Sequence, residues 1–104
     1  MRTMWVLAIL LGVMAGTVRA SEVSTQERGR ELFESEKLGT TGKSCATCHP
    51  GGKKLEWAAT YEEEKLAGIV NKCIKGPLKG KQLDPASPEM KSLIAYIKSL
   101  AGMN

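Results

Sequence analysis

The sequence predicts a single, small all-α domain. Three segments combine a helix-capping signal with apolar residues at helical spacing, and no segment shows the sustained apolar–polar alternation of a β-strand. A length of 104 residues allows one small domain and excludes a multi-domain enzyme.

The first helix is predicted to begin at Ser24 and to end near Lys37. Ser24 and Glu27 have the spacing of a capping box, which favours a helix start at Ser24. Gly29 lies one turn before Phe33. Because a glycine inside a helix costs about 1 kcal/mol relative to alanine, Gly29 indicates that another element packs closely against this turn.

The second helix is predicted to begin at Thr60, which forms a capping box with Glu63, and to end near Ile74 before Gly76-Pro77. Its apolar face consists of Leu66, Ile69, Val70 and Cys73.

The third helix has the clearest start signal in the chain. Ser87 is a favourable cap, Pro88 stands at the first helical position, and the pattern continues to Leu100, with Gly102 closing it. Its apolar stripe consists of Met90, Leu93, Ile94, Ile97 and Leu100.

Residues 1–20 have the pattern of a secretory signal peptide. A basic start at Arg2 precedes an uncharged apolar run, which exits through Val18-Arg19-Ala20. The run has about fifteen residues, short of the roughly 20 that span a bilayer, so cleavage after Ala20 is preferred to an uncleaved anchor. The sequence therefore predicts a mature domain of residues 21–104 that is periplasmic or secreted, with no stable membrane insertion after signal cleavage.

The composition of the mature domain indicates a weak core and a need for a cofactor. Without the two arginines of the leader, the formal net charge falls from +4 to +2, so nucleic acid is not expected as a partner. The mature domain has one Phe and one Trp, and a small domain of this kind usually needs a staple. Its three cysteines cannot all pair with one another, so disulfides alone do not supply that staple.

The pentapeptide Cys45-Ala46-Thr47-Cys48-His49 is the attachment signature of haem c. Two thiols three positions apart reach the two vinyl groups of one porphyrin, and the adjacent imidazole becomes the proximal iron ligand. A zinc site would need four protein ligands, a thioredoxin-type pair would need a βαβ pattern, and a disulfide would leave His49 without a role. One haem c, attached through Cys45 and Cys48, also completes the small core.

The mature chain resembles class I cytochromes c. Gly29-Arg30-Glu31-Leu32-Phe33 precedes the haem motif, and the last helix reads Leu93-Ile94-Ala95-Tyr96-Ile97. The resemblance implies a fold wrapped around one covalently bound haem, in which Gly29 and Phe33 cross the last helix at Leu93 and Tyr96. It also implies electron transfer.

The sixth iron ligand has several candidates. In class I cytochromes c it is usually a Met in the loop before the last helix, but residues 75–86 contain none. Met90 lies in the first turn of the last helix, where core packing is the alternative role, and Met103 is next to last in the chain. A lysine or an open site is a further alternative.

Cys73 is preferred to Met90 as the sixth ligand. Cys73 lies on the apolar face of the second predicted helix and is the cysteine that the haem motif leaves over. The alternatives to iron ligation are a simple buried thiol and an intermolecular disulfide. Asn71-Lys72-Cys73, Gly80-Lys81 and Glu89-Met90 resemble the first haem domain of thiosulfate dehydrogenases. That resemblance implies that Cys73 ligates the iron opposite His49. The chain departs from the family pattern at Gly76-Pro77-Leu78, where a Met is expected.

The lysines of the central segment suggest a surface that could bind other proteins. They are Lys65, Lys72, Lys75, Lys79 and Lys81, and no acidic residue stands between Lys65 and Asp84. They form either a solvated loop surface or a basic rim that attracts redox partner proteins through an acidic docking face.

The preferred function is that of a periplasmic monohaem electron carrier, and no catalytic residues are assigned. His49 is the only histidine in the sequence, so iron ligation would leave no second imidazole as a general base. The main alternative is a haem subunit or domain of a sulfur-compound oxidoreductase of the thiosulfate type, indicated by Cys73. A haem-based ligand binder would require a weak or absent sixth ligand.

Overall fold

The computed structural model describes the backbone of residues 17–102 and the side chains of residues 25–101. Within this part of the chain every regular element is helical, which confirms the all-α prediction. The helices are α1 (Thr17–Glu34), α2 (Cys45–Cys48), α3 (Glu63–Lys75) and α4 (Pro88–Ser99), with 3₁₀ turns at Pro50–Gly52, Ala58–Thr60 and Leu100–Gly102. The predicted signal peptide lies largely outside the described residues.

The predicted start of the first helix at Ser24 is wrong, because α1 begins at Thr17 and passes through Ser24 without interruption. Residues 17–24 contain neither Gly nor Pro, the two residues that most strongly disfavour a helix interior. The helix also ends at Glu34, before the predicted end at Lys37. A capping pattern is therefore a weak start signal when no helix-breaking residue precedes it.

The predicted cap of the second helix at Thr60 is also wrong. The N-cap of α3 is Glu62, and Thr60 belongs to a 3₁₀ turn in which its Oγ1 donates a hydrogen bond to the carbonyl of Trp57, at 2.7 Å. The predicted end is close to the observed one, since α3 stops at Lys75 and Gly76 is its C-cap.

The predicted start of the last helix is confirmed in detail. The Oγ of Ser87 accepts a hydrogen bond from the amide of Met90 at 3.1 Å, and Pro88 occupies the first turn of α4. The whole predicted stripe is buried: Met90, Leu93, Ile94, Ile97 and Leu100. Its first four residues pack with residues of α1 and α3 to form the core.

Helices α1 and α4 cross at Gly29, as the glycine predicts. A Cβ atom on Gly29 would overlap the carbonyl oxygen of Ser92 and lie 2.8 Å from the Cβ of Tyr96. One turn later the rings of Phe33 and Tyr96 pack with centroids 5.2 Å apart. The predicted pairing of Phe33 with Tyr96 is therefore confirmed, while the neighbour of Gly29 is Ser92 rather than Leu93.

Within the part of the chain that the structure describes, none of the helices combines the length and hydrophobicity that a membrane span requires.

Candidate functional site

The haem-attachment motif forms a single helical turn, α2, that is held at both ends. Its N-cap is Ser44, whose amide donates to the Oγ1 of Thr47 at 2.8 Å while the amide of Thr47 donates to the Ser44 carbonyl at 3.0 Å. At the other end the amide of His49 donates to the carbonyl of Cys45 at 3.0 Å. These hydrogen bonds fix the spacing of the two thiols and the histidine.

The imidazole of His49 is oriented by the turn that follows it. Its Nδ1 lies 2.9 Å from the carbonyl oxygen of Lys53, an arrangement in which Nδ1–H donates and Nε2 is left free as a ligand. Gly51 and Gly52, with φ values of 63° and 79°, form the tight turn that brings this carbonyl back to the ring.

An apolar cavity lies in front of this turn, between α1, α3 and α4. Its lining consists of Phe33, Cys45, His49, Leu55, Ala58, Leu66, Ile69, Val70, Cys73, Leu93 and Ile97. Ile69 is 38% exposed although it lines the cavity, so it lies at the mouth. The cavity therefore offers apolar walls, two thiols and one imidazole.

The structure brings together three of the five predicted site residues. Cys45, His49 and Cys73 line the cavity, with Cys45 buried and the other two partly exposed. Cys48 is exposed at the end of the same turn. Met90 is fully buried in the core and is not part of the cavity lining, while Met103 lies outside the described residues.

The two cavity thiols interact across the space between α2 and α3. A hydrogen bond between the thiols of Cys45 and Cys73 stabilises the Cys73 thiolate. Together with the positive charge that His49 can carry, this bond lowers the pKa of Cys73 to about 6, against the opposing effect of burial. The same bond and its own burial raise the pKa of Cys45. Of the two cavity thiols, the one whose pKa is lowered is therefore that of Cys73, on α3.

The residues around the cavity fit a covalently bound haem. One buried and one exposed thiol, three positions apart, can form the thioether bonds, and the oriented His49 offers Nε2 to the iron. The remaining walls are apolar apart from Cys73. The described residues contain no group of three or more His, Cys, Asp or Glu side chains placed to hold a metal ion directly.

The sequence analysis does not predict two hydrogen-bonded pairs near the site. The first is the hydrogen bond between Ser44 and Thr47, whose spacing is close to the capping-box pattern and could have been recognised in the sequence. The pairing of Asn71 with Leu83 joins a helix to a loop residue and has no local sequence signal.

The comparisons with known proteins agree with this site. The chain matches the model of a family described as "SoxA/TsdA, cytochrome c domain" over residues 28–103, a range that includes the haem motif, α3 and α4. No curated protein and no solved structure matches the chain. Cytochrome c domains carry electrons on a covalently bound haem c, which agrees with the cavity and its two attachment thiols. The chain therefore belongs to the SoxA/TsdA cytochrome c domain family.

Proposed function

We propose that the mature domain is a periplasmic electron carrier with one haem, bound through Cys45 and Cys48 and ligated by His49. The single attachment motif in the sequence supports one haem for each chain. The signal-peptide pattern of residues 1–20 supports export before the haem is attached. The apolar cavity lined by both Cys45 and His49 supports a buried cofactor edge.

The observation that carries the ligand proposal is the shared cavity of His49 and Cys73. Both side chains face the space that a bound haem would fill, so Cys73 is our proposed sixth ligand. Met90 is the alternative, but it is 0% exposed within the core cluster, and its amide is fixed by Ser87 in the first turn of α4. Ligation by Met90 would require this turn to open.

The bound haem supplies a one-electron iron couple, and the chain controls its environment. His49 is held in one tautomer by the Lys53 carbonyl. The apolar lining residues of α1, α3 and α4 would shield the face of the bound cofactor from water. A thiolate from Cys73 donates more electron density than a thioether, so it stabilises the ferric state and lowers the reduction potential relative to His/Met ligation.

We propose in addition that the exposed lysines of the central segment attract an acidic redox partner. Lys65 and Lys72 lie on α3 on either side of Ile69, the residue at the cavity mouth. The Nζ of Lys65 lies 4.3 Å from the centroid of the Tyr61 ring, which keeps its charge close to this surface. Such a rim increases the association rate with an acidic partner and weakens as salt is added.

A second candidate function is that of a haem subunit or domain in a sulfur-compound oxidoreductase. The observation in its favour is the family match, whose description groups this domain with SoxA and TsdA. In this case the same haem would pass electrons from a catalytic site to an acceptor, and the domain would bind a partner subunit. Thiosulfate oxidation by the purified chain, or by the chain with a co-purified subunit, distinguishes this candidate from a free carrier.

The first experiment is intact mass spectrometry combined with the ferric absorption and electron paramagnetic resonance spectra of protein purified from the periplasm. We expect the mass of residues 21–104 plus one haem, pigment that acid–acetone does not extract, and a low-spin thiolate-ligated spectrum. Colourless protein with free thiols at Cys45 and Cys48 would overturn the haem proposal. A His/Met spectrum would overturn only the role of Cys73.

A further inference from the structure

Asn71 forms a double hydrogen bond with the loop that follows α3. Its Nδ2 donates to the carbonyl of Leu83 at 2.8 Å, and its Oδ1 accepts from the amide of the same residue, also at 2.8 Å. Asn71 is only 7% exposed. A buried carboxamide that pairs with both backbone polar groups of one distant residue is a specific clamp, because loss of the carboxamide leaves two part-buried backbone groups without their partner.

The clamped loop also caps the end of α3 that carries Cys73. The amides of Gly76, Leu78 and Gly80 donate to the carbonyls of Lys72, Cys73 and Ile74, at 2.9, 3.3 and 2.7 Å respectively. These carbonyls belong to the last turn of the helix, which has no intrahelical donors for them. The backbone of Cys73 is therefore held by the loop, and its position depends on the position of that loop.

The first half of the loop is anchored on its other side by the segment after α1. The amide of Thr40 donates to the carbonyl of Leu78 at 2.8 Å, and its Oγ1 donates to the carbonyl of Lys79 at 3.0 Å. Thr40 therefore holds residues 78 and 79, and Asn71 holds residue 83. The two anchors lie on either side of residues 80–82, and Gly80 in this segment donates to the carbonyl of Ile74 at the end of α3.

We propose that Asn71 is a positioning residue for the sixth iron ligand, acting through the clamp on Leu83 to keep the last turn of α3 and the sulfur of Cys73 in place. This inference rests on the proposed role of Cys73. Asn71 does not line the haem cavity, so it acts on the ligand through the loop rather than by touching the cofactor. Without the clamp, the loop and the last turn of α3 open more often, and Cys73 leaves the iron more often.

The test measures how readily added imidazole displaces the sixth ligand in the ferric holoprotein. Imidazole binds only when the native ligand is off, so its apparent affinity increases in proportion to the open fraction. In Asn71→Leu, which keeps the volume but makes no hydrogen bond, we expect the apparent affinity to rise by about tenfold or more. Asn71→Asp keeps the acceptor for the Leu83 amide and is expected to lie between Asn71→Leu and the wild type.

The matched control is Ile94→Ala, which removes buried volume from α4 at a residue outside the haem cavity. It is expected to lower the melting temperature, and it removes neither hydrogen bond of the clamp. A similar rise in imidazole affinity in Ile94→Ala would reduce Asn71 to a structural role and overturn the proposal. Unchanged affinity in both Asn71→Leu and Asn71→Asp would overturn it as well. Should Asn71→Leu not accumulate, Asn71→Asp alone decides between these outcomes.

Cys73→Ala separates this proposal from the proposed function. If Cys73 is the ligand, Cys73→Ala changes the ferric spectrum and binds imidazole more tightly than any Asn71 variant. If Cys73→Ala has the wild-type spectrum and affinity, the ligand assignment fails. If Cys73→Ala responds and the Asn71 variants do not, only the positioning role of Asn71 fails.

Discussion

Gly29 of α1 lies directly against the backbone carbonyl of Ser92 in α4, so that no side chain fits between the two helices at this point. The contact sets the distance between the first and last helices and allows the rings of Phe33 and Tyr96 to pack one turn further on. Because Leu93 follows Ser92 and lines the haem cavity, the same contact also determines where one wall of the site stands.

Gly29→Ala is expected to destabilise the holoprotein by about 1–3 kcal/mol, the usual cost of overpacking, because the new Cβ meets a backbone atom that cannot rotate away. Gly68→Ala is the matched control, since Gly68 lies in α3 and no other element comes within 4 Å of the position that an alanine Cβ would occupy there. That variant is expected to gain up to about 1 kcal/mol from helix propensity. Thermal unfolding followed by circular dichroism measures the stability of both variants. If Gly29→Ala stabilised the protein as Gly68→Ala does, the close contact between Gly29 and Ser92 would be contradicted.

The haem-attachment thiols are expected to be required for folding. In the double variant Cys45→Ala/Cys48→Ala the haem is no longer bound covalently, and the apolar cavity is left without its occupant. Since a group that binds only the native state adds directly to stability, most of the helical circular dichroism is expected to be lost. A cooperative thermal transition in this variant would show instead that the protein core suffices.

Cys73→Ser is expected to change the ferric spectrum and raise the reduction potential, because a strong thiolate donor is lost. Met90→Leu is expected to keep the spectrum and to cost under about 1.5 kcal/mol, as a volume-conserving core substitution does. Spectroelectrochemical titration measures both variants. The weak near-infrared band of methionine–iron ligation in the wild type, absent from Met90→Leu, would reverse this assignment.

Thr47→Val is expected to weaken the turn that carries the two thiols. Valine keeps the shape of threonine but lacks the oxygen that accepts from the Ser44 amide, and losses of this kind cost about 1 kcal/mol. We expect a lower yield of haem-loaded protein, measured as the ratio of Soret to protein absorbance. Thr41→Val, which loses only an exposed bond to the Pro77 carbonyl, serves as the control and is expected to keep the wild-type yield.

The sequence predicted helix starts correctly where the local residues fit only one structure. Ser87-Pro88 marks the start of α4, and the apolar stripe of that helix is buried as predicted. The two capping boxes at Ser24 and Thr60 were misleading, because their residues also fit a continuing helix and a 3₁₀ turn. The same residues can cap a new helix or continue an existing one. Tertiary contacts decide which of the two forms, and the local sequence does not specify those contacts.

The same limit applies to the site. The spacing of Cys45, Cys48 and His49 predicts the attachment motif from the sequence alone, since these residues lie within five positions of the chain. The face of α3 predicted that Cys73 points inward, and it lines the cavity. The clamp between Asn71 and Leu83 depends on how a glycine- and proline-rich loop returns to the helix, which no periodic pattern encodes.

The position of α4 after the other helices has a consequence for how the domain is assembled. Leu93 and Ile97 complete the cavity wall, so this wall is missing until α4 has packed against the other helices. The segment with Cys45, Cys48 and His49 precedes α4 in the chain and remains accessible until then. We therefore expect covalent attachment to occur on an open chain, with the arrival of α4 against α1 sealing a cofactor that is already tethered.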